Sequence, residues 1–175
     1  KHLLADFPAF HPDNARNEFG EVGRKAVVTQ IATVSPFYAE VYRLIASRDF
    51  LDFVSAITGI PELVHDEMMF GGGTHENLEG PELDPHVDFN FSEDRKLHRR
   101  LNLLLYLNTE WEQNWGGCLE LHSNPRRSRE DRITVIEPLF NRCVVFETSE
   151  HSWHGFEKIR LPEGKKHFSR KLLSI

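Results

Sequence analysis

The hydrophobic rhythm of the chain changes near residue 63. Before that point, "SPFYAEVYRLIAS" places Phe37, Val41, Leu44 and Ile45 at helical spacing, with Ser35 as N-cap and Pro36 at the first helical position. An amphipathic helix is expected there. "SRDFLDFVSAITGIP" follows, with Phe50, Phe53, Val54 and Ile57 on one face and Gly59 and Pro61 as stop signals, and predicts a second. From Leu63 onward the apolar runs are short, rich in Val, Ile, Leu and Phe, and separated by Gly, Pro, Asn and Asp. Strands are expected at about 63–70, 86–89, 99–108, 117–123, 132–137, 141–148, 154–159 and 168–174. The result is an α+β, mainly β chain: a double-sheet jelly roll with N-terminal helices supporting one sheet. One domain is expected over 1–175, with a helical lead-in to about residue 62 and the jelly-roll core from about 63.

The run "RRLNLLLYLN" refines this picture. Leu101, Leu103, Leu105 and Leu107 point one way, and Asn102, Leu104 and Tyr106 the other. The all-leucine face is expected to pack on the helices. The mixed face, with an amide and a phenol among apolar neighbours, suits a pocket in the barrel mouth.

Composition narrows the function. The 175 residues, 39% hydrophobic, are enough for one core, and the formal charge of -6 argues against a nucleic-acid binder, which needs a surplus of Lys and Arg on one face. The basic stretch "PRRSRED" is interleaved with acids and reads as a solvated loop. Cys118 and Cys143 each lie in an apolar run, fit no disulfide framework, and predict a reducing, cytoplasmic setting. No apolar run approaches the ~20 residues that span a bilayer, so no membrane partner is expected. The chain opens on Lys, so the native N-terminus is expected to extend further.

The chemistry starts at "DPHVDFN". Side chains two apart on a strand share a face, so His86 and Asp88 can converge where Val87 cannot. A third ligand is needed. His154 in "SEHSWHGFEKI" is best placed, because it follows the apolar strand "CVVFE" and opens another; His151 competes. Two imidazoles and a carboxylate form the facial triad that leaves coordination positions open on Fe(II), whereas zinc prefers a closed four-coordinate site. A chelated oxoacid would also need a cation for its distal carboxylate. Arg170 on the terminal strand is favoured over Lys158 and Arg160, which follow His154 too closely to reach the next strand.

The ordered segments "HVDF", "RRLNLLLYLN", "WGGCLELH", "NRCVVFETSEHSWHGF" and "SRKLLSI" resemble the prolyl-hydroxylase-like group of Fe(II)- and 2-oxoglutarate-dependent oxygenases, in its microbial form, over about residues 63–175. The resemblance implies a double-stranded β-helix, iron on His86, Asp88 and His154, and 2-oxoglutarate anchored by Arg170 and Tyr106. It also puts Asn102, Leu104, Leu119 and Phe146 along the cosubstrate pocket. It implies dioxygen as co-reactant, ascorbate as a supporting reductant, and hydroxylation of a prolyl residue, free amino acid or other small molecule with release of succinate and carbon dioxide.

The interval from His154 to Arg170 is longer than in animal prolyl hydroxylases. "FGGGTHENLEGPELDP" stands where relatives carry a substrate-side aromatic, so proline recognition does not carry over. That segment reads as a lid or a solvated connection, and its acids, if they face the site, favour a cationic substrate. Two other classes fit the residues: a non-catalytic jelly-roll binding module and a zinc hydrolase on a cupin-like barrel.

Overall fold

The computed structural model describes residues 1–17 and 19–175. A short helix, α1 (His2–Ala5), opens the chain, and the Leu3 carbonyl accepts a hydrogen bond from the Tyr38 hydroxyl at 2.9 Å. β1 (Lys25–Val28) follows, inside the stretch expected to be only a helical lead-in. Ser35 and Ser47 then cap α2 (Pro36–Ala46) and α3 (Arg48–Thr58), their hydroxyls accepting from Tyr38 N and Phe50 N at 3.3 Å. Gly59, left-handed at φ 72°, ends α3.

The apolar stripe on these helices is wider than the surface they cover. Tyr38, Val41, Ile45 and Phe50 pack with Ile31, Met69, Leu105 and Leu173, while Leu44, Phe53 and Ile57, expected inside, are exposed.

Residues 63–70 do not form the expected strand. Asp66 accepts from Met68 N at 3.1 Å and from Phe70 N at 2.8 Å, and this side-chain turn takes the amides a ladder would need. The strand comes later, as β2 (Gly73–Asn77), where a lid or loop was anticipated. Gly73 sits at φ 107° and a Cβ there would collide with the Val28 carbonyl, so only glycine lets β1 and β2 close. The remaining strands are β3 (Leu83–His86), β4 (Phe91–Ser92), β5 (Leu97–His98), β6 (Leu101–Tyr106), β7 (Leu119–His122), β8 (Ile133–Ile136), β9 (Cys143–Glu147), β10 (Trp153–Phe156) and β11 (Arg170–Ser174). β3 ends before Asp88, and β10 before 159, so both differ from the expected bounds.

A five-stranded sheet in the order β1-β2-β11-β6-β9 faces a four-stranded sheet in the order β3-β10-β7-β8, and every named strand pair is antiparallel. β4 and β5 form a separate hairpin. Tyr106 and Leu172 from the larger sheet meet Leu119, Leu121 and Ile136 from the smaller, which fixes the space between the sheets as an interior. Alternation along β6 then does what the sequence indicates: Leu105 faces the helices, Leu104 and Tyr106 face the interior. β2 and β11 divide in the same way. His75, Asn77, Arg170 and Leu172 share the inward face by register, and Thr74, Glu76, Lys171 and Leu173 the outward one. No helix among the described residues is long and apolar enough to cross a membrane.

Candidate metal centre

His86, at the end of β3, lies directly across from His154 in β10, and the two ring centroids are 4.4 Å apart. Asp88 comes two residues past His86, where the chain has left the strand. Its Oδ1 is 3.6 Å from His86 Nε2 and its Oδ2 is 3.6 Å from His154 Nε2. Those separations are too long for direct hydrogen bonds, and the donor atoms, all within 4.8 Å of one another, leave room for an ion between them.

The rings are already aimed. His86 Nδ1 lies 3.0 Å from the Asp84 carbonyl oxygen, and His154 Nδ1 lies 2.9 Å from that of Ser152. A carbonyl only accepts, so each Nδ1 carries the proton and each Nε2 presents its lone pair to the centre. Burial pushes the His154 pKa down, which keeps the ring neutral, while the neighbouring Asp88 carboxylate raises that of His86. Burial alone would raise Asp88; the adjacent His86, a hydrogen bond from Asn102 and the charge of Arg99 outweigh it and hold the carboxyl well below its usual range. Two imidazole lone pairs and one carboxylate, with no fourth protein donor in the group, fit a divalent metal that keeps open positions.

Asn102, expected along the cosubstrate pocket, reaches Asp88. Its Nδ2 donates to Asp88 Oδ2 at 2.7 Å, and its Oδ1 accepts from Arg99, whose guanidinium also lies 3.7 Å from Asp88 and 5.0 Å from the Phe89 ring centroid. Arg99 went unnoticed in sequence, because the basic pair opening "RRLNLLLYLN" lies outside the alternating run.

Arg170 is 4% exposed and enters the interior from β11. Its Nε donates to the Gly117 carbonyl at 2.6 Å and its Nη2 to the Tyr106 hydroxyl at 3.3 Å; its guanidinium lies 4.5 Å from the Phe156 ring centroid. Gly117, at φ 67°, is needed for that approach, since a Cβ would come within 3.2 Å of Arg170 Cδ and of the Trp111 ring. No carboxylate among the described residues pairs with Arg170. Burial lowers its pKa and raises that of Tyr106. Leu104, Leu119 and Phe146 join Tyr106 in one apolar cluster, and Phe146 meets the His154 ring edge-on at 5.0 Å, so this wall runs from the arginine to the triad. Lys158, Arg160 and His151, the competing assignments, are exposed.

Two further residues face this interior and were not singled out by pattern. His75 is driven down to about 3 by burial and by the charge of Lys25, so it stays neutral. Lys25 itself stands in β1 opposite Asn77, which is opposite Arg170. Two acids of the 71–85 segment, expected to favour a cationic substrate if they faced the site, are taken by partners outside it. Glu76 points to the helix side, 2.6 Å from Lys171 Nζ and 2.5 Å from Ser169 Oγ, and Glu79 binds Lys166 and Leu161 N.

Residues 73–173 match the family model described as the 2OG-Fe(II) oxygenase superfamily. Mouse (Mus musculus) prolyl 3-hydroxylase OGFOD1 is 27% identical over 94 residues, a match covering 47% of this chain and 17% of the mouse protein. The chain thus spans under a fifth of that relative. Among solved structures, a 2OG-Fe(II) oxygenase family oxidoreductase from Burkholderia pseudomallei aligns with a TM-score of 0.57 at 14% identity, over 86% of this chain and 65% of that one. A prolyl hydroxylase from Trichoplax adhaerens, in complex with a hypoxia inducible factor oxygen degradation domain peptide fragment, gives 0.56 at 19% identity over 92% and 67%. A prolyl 4-hydroxylase from Phytophthora capsici gives 0.55 at 19% identity over 86% and 45%.

Proposed function

The chain belongs to the 2OG-Fe(II) oxygenase superfamily, and on that premise we propose that it is a 2-oxoglutarate-dependent hydroxylase built on a double-stranded β-helix. The observation that carries the reading is the convergence of His86 Nε2, His154 Nε2 and the Asp88 carboxylate, with both Nδ1 atoms committed to backbone carbonyls. These three residues would hold Fe(II). Arg170, buried without a carboxylate partner, supports an anionic ligand at the other end of the interior, and 2-oxoglutarate meets that requirement with its distal carboxylate on Arg170 and the Tyr106 hydroxyl. A zinc hydrolase leaves that arginine unexplained.

When bound, iron and 2-oxoglutarate supply the oxidative chemistry, consuming dioxygen and releasing succinate and carbon dioxide as a hydroxyl is added to the substrate. The chain supplies geometry. Leu104, Leu119 and Phe146 exclude water around the cosubstrate, Asn102 fixes the Asp88 carboxylate, and Asp84 and Ser152 fix the imidazoles. Asp88 fills the third donor position, which favours hydroxylation over halogenation. The relatives named as prolyl hydroxylases favour a prolyl residue as the hydroxylated group. Both cysteines are free, which is in keeping with a reducing, cytoplasmic setting.

Incubation with Fe(II), 2-oxoglutarate and ascorbate under air is expected to release succinate, slowly alone and faster with a proline-containing peptide. No metal binding at micromolar Fe(II), or turnover indifferent to 2-oxoglutarate, overturns the reading.

A further inference from the structure

The interior carries more positive charge than the proposed cosubstrate uses. Strand parity turns Lys25 and Arg170 into it from one cross-strand row, Lys25–Asn77–Arg170, and Arg99 borders it beside Asp88. Against these cations stands the carboxylate of Asp88. Two neighbouring acids are committed elsewhere, Glu76 to Lys171 and Ser169 on the outward face of β2 and Glu79 to Lys166 and Leu161 N, while Glu82 and Asp84 are exposed to solvent. His75, between the rows, is neutral. A divalent metal and dianionic 2-oxoglutarate cancel each other, so loading the site does not remove the excess.

Arg170 is closed off by Gly117, Tyr106 and Phe156, and Arg99 is occupied by Asn102 and Phe89. Lys25 differs from both. Its side chain remains open to solvent on the edge strand of the larger sheet, and among the described residues no carboxylate or carbonyl engages its ammonium. It is the most solvent-exposed of the three cations. The surrounding protein, and Arg170 after it, press its pKa below the ordinary lysine value while Asp88 pulls the other way, in keeping with a place between them.

We propose that Lys25 selects the hydroxylated substrate by pairing with its carboxylate, so that the preferred substrate is anionic near the target carbon. The inference rests on the function proposed above. Two sources supply the same chemistry: the α-carboxylate of a free imino or amino acid, and an acidic side chain flanking a prolyl residue.

The test uses the whole chain loaded with Mn(II) and N-oxalylglycine, which prevents turnover, and reads paramagnetic broadening of probe proton signals. The probes are L-proline and L-prolinamide, then acetyl-Asp-Pro-amide and acetyl-Asn-Pro-amide. One member of the carboxylate set is expected to bind about tenfold or more tightly than its amide partner, the size of one charge-assisted hydrogen bond. Which pair shows the preference identifies the source. K25E is expected to reverse that preference and K25R to retain it, and calorimetric 2-oxoglutarate affinity of each variant controls for folding and for the cosubstrate site. The proposal is overturned if carboxylate and amide probes bind equally or not at all, if K25E leaves the preference intact, or if K25E weakens 2-oxoglutarate as much as it weakens the probes. Failure of the wild-type chain to bind Mn(II) or 2-oxoglutarate instead removes the function on which the proposal rests.

Discussion

Arg170 and Lys171 are adjacent on β11 and meet opposite fates. Lys171 faces the helices, where its ammonium finds Glu76 at 2.6 Å and bonds Ser169, a pair completed by the chain itself. Arg170 faces the interior, is 4% exposed, and has a phenol, a peptide carbonyl and aromatic rings around it but no carboxylate. Burying a charge without a partner is expensive, so an arrangement like this persists where a ligand completes it. On β11, then, the cation whose anion comes from the chain serves the fold, and the one left without an anion is where a ligand is to be sought.

Arg170 carries the largest expected effect. Arg170→Met is expected to weaken 2-oxoglutarate binding by roughly a hundredfold or more, the scale of losing one partner of a desolvated charge pair. The same variant should match or exceed the wild-type melting temperature, because it removes an unpaired buried charge. A destabilised R170M would place the arginine with Lys171 as a structural residue.

Asn102→Leu comes next, since it takes from Asp88 a hydrogen bond that aims the carboxylate. Metal affinity, followed by competition with a chelator, should fall by about tenfold to a hundredfold, the range for residues that orient ligands. Unchanged affinity would mean that Asp88 is held by its backbone alone.

Lys171→Met should show the reverse of R170M. Stranding Glu76 on the helix side is expected to lower stability by about 1–3 kcal/mol in denaturant titration, with little effect on 2-oxoglutarate affinity. A large loss of cosubstrate binding would merge the two faces of β11 into one functional unit.

The smallest expected effect concerns Asp131, which accepts from Asn124 N at 2.8 Å, from His122 at 2.7 Å and from Ser123 at 3.2 Å. The Asn124 amide above all holds its pKa below the usual carboxylate range. A depressed folded pKa means stability present at neutral pH and lost as pH falls through that lowered value. The melting temperatures of wild type and Asp131→Asn should therefore differ near neutrality and converge as acid is added below about pH 4, the ordinary carboxylate range. A gap that stays constant with pH would remove the carboxylate's role.

Sequence made the second half of the fold legible where alternation was clean, as in β6, and made α2 and α3 legible through their serine caps and apolar spacing. It failed at 63–70 because a single aspartate side chain there outbids the ladder for backbone amides. β2 was hidden for a different reason. "GTHEN" has no apolar face, since its inward residues, His75 and Asn77, are polar and its outward glutamate needs Lys171, nearly a hundred residues away in sequence. The triad and Arg170 could be picked out by residue type and spacing, whereas Lys25 could not, because its relation to Arg170 exists only through two register choices.

The hydrogen bonds at the two ring Nδ1 atoms share one form: each imidazole is held by the carbonyl two residues before it, Asp84 for His86 and Ser152 for His154. The orienting contact is thus packaged within three consecutive residues at each histidine, and side chains elsewhere can drift without turning either ring. Folding alone readies both imidazoles, so the affinity for metal depends on the donors and the Asp88 carboxylate more than on any rearrangement when the ion arrives. The imidazole part of the site, written in such short local units, is portable through extensive change in the strands around it, whereas the Asp88 carboxylate stays tied to Asn102 of β6.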